Sequence, residues 1–152
     1  MANILAHAGT TEVSLSASST KTVLQLATAA NHRVKVTGFS IFFKGTGVTD
    51  LPILVQIMRQ TDSGPMTSTP PKKNNSSDTE TIQTSATSNA TFEPTPGDIL
   101  YRAEVHPQSG WQVIFPFAQE IIVKGSERLG LVCTLGVTPT TINCTAQFDF
   151  EE

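Results

Sequence analysis

The clearest pattern of hydrophobic and polar positions lies at the end of the chain, over residues 142–150. Apolar residues alternate there with polar ones, and the apolar set is Ile142, Cys144, Ala146, Phe148 and Phe150. A period of two is typical of a strand with one buried face and one solvated face. A slip of one residue would move both phenylalanines into water and Asp149 into the core, so the pattern permits one register.

A second alternating segment comes directly before this strand. Its apolar positions are Leu129, Leu131, Cys133 and Leu135, and residues 136–140 lead from it into the last strand. The two segments are typical of antiparallel strands joined by a turn. Neither carries a catalytic type of residue on its inward face, so we interpret the pair as part of the core.

Six more strands and one weak strand are predicted upstream. They cover residues 22–26, 33–44, 53–60, 98–106, 111–115 and 120–123, with the weak strand between residues 81 and 92. Within 33–44 the apolar positions change parity at Gly38, from Val34 and Val36 to Phe39 and Ile41. A glycine at such a switch predicts a bulge or bend, and a second half covered on both faces is the alternative.

These short strands, separated by turn signals and without a helical period, predict an all-β protein that folds as a two-sheet antiparallel sandwich. A jelly roll is the favoured topology and an immunoglobulin-type sandwich the alternative. The length of 152 residues corresponds to one domain, which we place at residues 21–152. Residues 61–97 are rich in turn-forming residues and predict a long exposed loop.

Residues 1–20 are predicted to form an extended N-terminal arm. They are mostly small and polar, and fixing each backbone residue costs roughly 1–2 kcal/mol. Their few large apolar side chains are therefore candidate partner-binding residues: Ile4, Leu5, Val13 and Leu15. We expect the arm to cross to an adjacent subunit or to a larger shell by strand addition. The alternatives are that it lies along the edge of its own sheet or packs locally as a tail.

Charge and hydropathy argue against two classes of partner. The formal net charge is −3, and no basic cluster is longer than Lys72-Lys73, so no nucleic-acid partner is predicted. No apolar run approaches the eighteen or more residues that a membrane helix needs, and the first residues do not form a secretion signal. We therefore expect synthesis in the cytoplasm and no membrane partner.

Candidate catalytic and metal-binding residues are few. Cys133 and Cys144 lie on the apolar phase of their strands and are interpreted as buried free thiols, since a zinc site needs four ligands at short spacings. His106 and Glu104 share a strand phase, but a solvated histidine at a strand end is the favoured interpretation. Catalysis needs a nucleophile, a base and an orienting group in one pocket. We predict no enzyme activity and no catalytic, cofactor or metal site.

Trp111 has two interpretations. It shares a strand face with Val113 and Phe115, which favours a place in the core or at an interface. Alternatively, Trp111 together with Tyr101 would stack a sugar ring, as aromatic platforms do in sandwich domains that bind carbohydrate.

Several segments together carry a family resemblance. They are the Leu-rich segment 22–26, Arg33-Val34-Lys35-Val36, residues 53–60, the Pro/Thr-rich loop, the Trp111 segment with Pro116-Phe117, and residues 127–131. Their arrangement resembles small β-sandwich proteins of tailed-bacteriophage virions, mostly capsid decoration, or cement, proteins. The resemblance covers roughly residues 22–150 and consists of strand and turn patterns without a signature residue.

The resemblance implies a virion structural protein at the capsid surface that stabilises a phage shell by binding the major capsid protein between capsomers. The alternative is a head-fibre, tail or receptor/carbohydrate-binding module. We also predict a homotrimer, because apolar residues left over after one core is filled tend to be buried between copies. The candidates are Phe39, Phe43, Phe115 and Phe117, and Phe117 is the candidate partner-binding residue of the body.

Overall fold

The computed structural model describes residues 3–44 and 50–152, and these contain thirteen strands and no helix. The strands are β1 (Leu5–Gly9), β2 (Val13–Ser16), β3 (Thr20–Ala27), β4 (Val34–Lys44), β5 (Ile53–Gln60), β6 (Thr67–Ser68), β7 (Lys72–Lys73), β8 (Ser85–Ser88), β9 (Pro96–Val105), β10 (Trp111–Ile114), β11 (Ile121–Val123), β12 (Arg128–Thr134) and β13 (Thr141–Glu151).

The strands form two antiparallel sheets that pack against each other. The first sheet has the order β10-β4-β13-β1-β7, with β11 also on β4 and β2 also on β13. The second sheet has the order β6-β8-β3-β12-β5-β9. One continuous apolar core lies between them. The predicted all-β, two-sheet antiparallel sandwich is therefore confirmed, and its jelly-roll topology stays a prediction.

The last strand has the register that its sequence pattern requires. All five of its apolar residues are buried, and β13 lies between β4 on one side and β1 and β2 on the other. Cys144 of β13 and Cys133 of β12 are both buried and unbonded to each other, as predicted.

The parity change in β4 is a bulge. Gly38 pairs with Asp149, whereas the next paired residue of β13, Phe150, lies opposite Val36, which leaves Thr37 as the extra residue. A Cβ atom at position 38 would lie 2.8 Å from the carbonyl oxygen of Val113 on β10, so the neighbouring strand approaches too closely for any side chain. The prediction of a bulge at this glycine is confirmed.

The N-terminal segment does not leave the body. β1 pairs with β13 from Leu5 opposite Glu151 to Gly9 opposite Gln147, and β2 pairs with β13 beyond it. Ile4, Val13 and Leu15 are buried in the common core. The arm prediction is thus corrected for the described residues 3–20, which lie in the chain's own sheet beside β13. The reason is that β13 supplies both the backbone partners and the apolar face that the segment lacks by itself.

Residues 61–97 contain β6, β7, β8 and the start of β9. The weak strand predicted between residues 81 and 92 is β8, which pairs antiparallel with β3 and has only the two-residue β6 outside it. The expectation that the rest of this loop is exposed is wrong in part. Thr84, Ala90 and Pro94 are buried, and the segment is hydrogen-bonded to other parts of the chain, since Thr84 N donates to Glu152 Oε2 and Ala90 N donates to the Thr22 carbonyl.

A partly buried polar network joins residues 61–97, which we call the covering segment, to β3 and β5. Thr22 donates from its backbone N to both carboxylate oxygens of Glu93, at 2.9 and 2.8 Å, and its hydroxyl donates to Oε2 at 2.7 Å. Gln60 Nε2 donates to Thr22 Oγ1, and Gln25 Nε2 donates to Gln60 Oε1 and to the Asp62 carbonyl. Pairing of this kind satisfies polar groups that would otherwise be costly to bury. The long loop therefore completes the body of the sandwich.

Candidate docking surface

One edge of the first sheet displays an apolar turn. β10 and β11 follow each other along the same side of β4, with Ile114 opposite Gly38 and Ile122 opposite Lys35. Residues 115–120 connect them, and residues 116–119 of this connection are exposed. We call residues 114–118 the apolar turn, and they are Ile-Phe-Pro-Phe-Ala.

The backbone of the apolar turn fixes Phe117 in an outward position. Gln119 N donates to the Pro116 carbonyl at 2.9 Å, and Ala118 has a φ of 69°. A type II turn requires this positive φ at its third residue, where glycine is the usual choice and any residue with a Cβ is strained. Phe117 occupies the second residue of the turn and is 90% exposed.

The residues that flank Phe117 along the chain are uncharged and mostly apolar. Ile114 is 77% exposed, Ile122 of β11 on the same side of β4 is exposed, and Pro116 and Ala118 are exposed as well. Residues 111–119 contain no charged side chain. Scattered single hydrophobes are normal on a surface, whereas a contiguous apolar set is typical of an interaction site.

A cluster of four rings holds the base of the apolar turn. Phe39 lies at the centre, with its ring centroid 4.9 Å from that of Trp111 in an edge-on arrangement and 5.9 Å from that of Phe115. Tyr101 of β9 lies 5.2 Å from Phe115 and so joins the second sheet to the cluster. Phe115 also donates its backbone N–H to the Thr37 carbonyl. The exposed residues of the apolar turn are therefore attached to a well-packed part of the core.

The two candidate sugar-binding residues are both members of this ring cluster. Trp111 is half-buried and packs against the core, and Tyr101 is 38% exposed. A sugar platform needs an open ring face, whereas Trp111 has Phe39 against it. The arrangement gives the carbohydrate alternative little support.

The other predicted partner-binding residues are distributed differently. Ile4, Val13 and Leu15 lie in the core and are not available to a partner, whereas Leu5 is half-exposed on the outer face of β1. Of that set, Phe117 and Leu5 are the residues that reach the surface.

Sequence reasoning missed Ile114 and Ile122. The signal was present in the period of two, because Ile114 falls between the inward residues Val113 and Phe115, and Ile122 falls between Ile121 and Val123. Because they alternate with inward-facing residues, the period of two alone predicts that Ile114 and Ile122 are exposed.

Strand β9 does not follow a simple period of two. The pattern places Ile99, Tyr101, Ala103 and Val105 together, but the pairing with β5 shifts so that Tyr101 lies opposite Ile57 and Ile99 opposite Met58. Leu100 is the extra residue, and it packs against the core while Ile99 is exposed. A bulge at Leu100 therefore reverses the parity of the first half of the strand.

The histidines have amide or backbone neighbours. Nδ1 of His7 lies 2.9 Å from Asn74 Oδ1, Nδ1 of His32 lies 3.0 Å from Asn31 Oδ1, and Nδ1 of His106 accepts from Gln108 N at 3.2 Å. In the described ranges, the side chains of His106 and Glu104 form no hydrogen bond or ion pair with each other. The pairing considered for them is not formed.

Candidate active-site cavities are lined by few catalytic types of residue. A cavity of about 430 Å³ beside the N-terminal strand is lined by residues that include His32, Arg33 and Glu80, and its lining has no serine or cysteine. Residues 3–44 and 50–152 hold no group of three or more His, Cys, Asp or Glu that could bind a metal ion. The absence of catalytic, cofactor and metal sites stays a prediction.

Burial also sets the chemistry of the two thiols. Burial, with a smaller effect from nearby Cys144 and Glu93, raises the pKa of the Cys133 thiol well above its ordinary value. Burial raises the pKa of Cys144 to about 12. Both thiols are therefore protonated and poor nucleophiles at neutral pH.

Comparison with protein-family models, with curated proteins and with solved structures finds no match. The described part of the chain has no helix that is long and apolar enough to cross a membrane.

Proposed function

We propose that this chain is a virion structural protein, a capsid decoration subunit that docks through the apolar turn onto the major capsid protein between capsomers of a phage shell. The observation that carries the proposal is the 90% exposed Phe117 on an uncharged turn of strained backbone. Strained backbone and exposed apolar residues both tend to occur at binding sites. The family resemblance of residues 22–150 supports the class of partner.

The mechanism is stabilisation by burial. Full burial of a phenylalanine contributes about 1.5–3 kcal/mol, and a standard protein interface buries about 1,600 Å² in total. Large aromatic residues that enter a pocket commonly contribute most of the binding energy. Many identical contacts around a shell resist its expansion even when each contact is weak.

The apolar turn suits this role because it is built before binding. Its backbone is fixed by the Gln119–Pro116 hydrogen bond, and its base is fixed by the ring contacts of Phe115 with Phe39 and Tyr101. Little conformational entropy remains to be lost when the turn docks, so more of the burial energy appears as affinity.

The experiment compares two phenylalanine variants in co-sedimentation with capsids of the same virus. Phe117→Ser removes the exposed ring of the apolar turn. Phe92→Ser is the matched control, since Phe92 is 74% exposed but lies in the covering segment. Loss of about 1.5–3 kcal/mol per site corresponds to a decrease in affinity of about 10-fold to 100-fold for Phe117→Ser.

The control should bind as the unchanged protein does. Decorated capsids should also withstand a higher temperature than undecorated ones, and Phe117→Ser should reduce this gain. The proposal fails if the unchanged protein does not co-sediment and if capsid stability is the same with and without it. It is also contradicted if Phe92→Ser weakens binding as much as Phe117→Ser.

A further inference from the structure

The second sheet ends in an open strand. β9 pairs with β5 on one side, and within residues 3–44 and 50–152 no strand lies on its other side. An edge strand presents unpaired backbone N–H and C=O groups, which can pair with another chain. β9 is ten residues long and mostly exposed, so it is a large edge.

Only the second half of β9 is regular. The register shifts between Ile57 and Met58, and again between Met58 and Gln60, so the first half of β9 is bulged. Residues 101–105 pair without a shift against residues 53–57. Bulges hinder further strand addition, so residues 101–105 are the part of this edge that can accept another strand.

The regular half carries two opposite charges on one face. Arg102 lies opposite Gln56 and Glu104 opposite Leu54, two positions apart, so both side chains project from the outer face of the second sheet. Both residues are exposed, and neither side chain forms a hydrogen bond or an ion pair within the described ranges. Tyr101, Ala103 and Val105 face the other way.

We propose that a second copy of this chain docks its β9 antiparallel to this β9, with a twofold axis at Ala103. Arg102 then lies opposite the partner's Glu104, and Glu104 lies opposite the partner's Arg102. On the other face, Tyr101 lies opposite the partner's Val105, and the two alanines meet at the axis. The two second sheets become one continuous sheet across the dimer.

The two charges favour one strand register and favour a second copy of this chain as the partner. Centring the axis on Arg102 or on Glu104 would place like charges opposite each other, which is unfavourable between paired strands. A twofold interface uses the same surface on both copies, so a segment with one positive and one negative charge about a small residue is complementary to itself.

Charge reversal tests the twofold contact by sedimentation equilibrium of the full chain. Arg102→Glu alone would place glutamates opposite each other at both pairs, and Glu104→Arg alone would place arginines there. Each single variant should weaken self-association by about tenfold or more. The double variant Arg102→Glu with Glu104→Arg restores opposite charges and should return the dissociation constant to within about threefold of the original.

Lys72→Glu is the control, because Lys72 is an exposed lysine on the other sheet and should leave self-association unchanged. A dimer that obeys this pattern supports the proposal. A monomer at 100 µM or a trimer overturns it, and so does a double variant that dissociates as readily as the single ones. These outcomes do not depend on capsid docking, which is read separately from the Phe117 and Phe92 variants.

Discussion

Truncation of Leu15 tests whether the N-terminal segment belongs to the core. Leu15 is 1% exposed and lies on β2 opposite Ile142 of β13. Leu15→Ala removes a fully buried side chain and leaves a cavity between β2 and the opposing sheet. Substitutions of this kind lower the free energy of unfolding by about 2–5 kcal/mol.

Leu5→Ala provides the matched control. Leu5 is on the same N-terminal segment and pairs with the same strand, but it is 50% exposed on the outer face. Removing a half-buried leucine side chain should cost about 1 kcal/mol or less. The pair of variants thus separates burial of the segment from its strand pairing.

Urea unfolding at 25 °C, followed by circular dichroism, measures both costs. In a domain of this size each kcal/mol also lowers the melting temperature by about 2–4 °C. Deletion of residues 1–20 should abolish cooperative unfolding, because it uncovers the edge and the apolar face of β13. Equal small costs for the two leucine variants, or a deletion variant that melts as the full chain does, would refute the placement of this segment in the core.

Two further predictions concern the second sheet and the thiols. Glu93→Gln should lower the free energy of unfolding by about 1–3 kcal/mol, because it disturbs three hydrogen bonds from Thr22, whereas Glu80→Gln, at an exposed position, should have no effect in the same urea titration. For Cys144, burial raises the pKa from its ordinary value of 9.0 to about 12, so the folded state holds the thiol proton more tightly than the unfolded state. Stability should therefore fall as the pH rises from 9.0 towards about 12, and less steeply in Cys144→Ala. At pH 8 a thiol reagent should label neither cysteine until denaturant is added, and rapid labelling of the folded protein would contradict their burial.

The sequence predicts the strands and bulges whose burial in the fold follows directly from their local alternation of apolar and polar residues. β13 alternates cleanly over its whole length, and the parity change at Gly38 marks a bulge that is confirmed. In both cases the signal lies within a few neighbouring residues. The fold class follows from repeated signals of this kind.

The N-terminal segment could not be placed in this way, because its partner strand is about 135 residues away in the sequence. Residues 1–20 look too polar to order themselves, and only the pairing with β13 supplies what they lack. The covering segment was misjudged for a similar reason. Glu93 and the Asp62 carbonyl are held against the sheet because Thr22 and Gln25 of a distant strand donate hydrogen bonds to them.

The sequence predicted one residue of the candidate docking surface but not the full set. Phe117 was identified, whereas its neighbours Ile114 and Ile122 were not. The homotrimer stays a prediction that competes with the β9 dimer, and three of the four phenylalanines that motivated it lie in or against the chain's own core. Phe39 and Phe115 are in the core, and Phe43 packs against it. Phe117 alone remains for a partner.

Site-specific photocrosslinking tests capsid docking most directly. A photoreactive residue replaces Phe117 in one sample and Phe92 in a control sample, and each protein is irradiated on capsids before the crosslinked peptides are identified by mass spectrometry. The proposed function predicts crosslinks from position 117 to the major capsid protein and few from position 92. Crosslinks from position 117 only to other copies of this chain, or equal crosslinking from both positions, would contradict it.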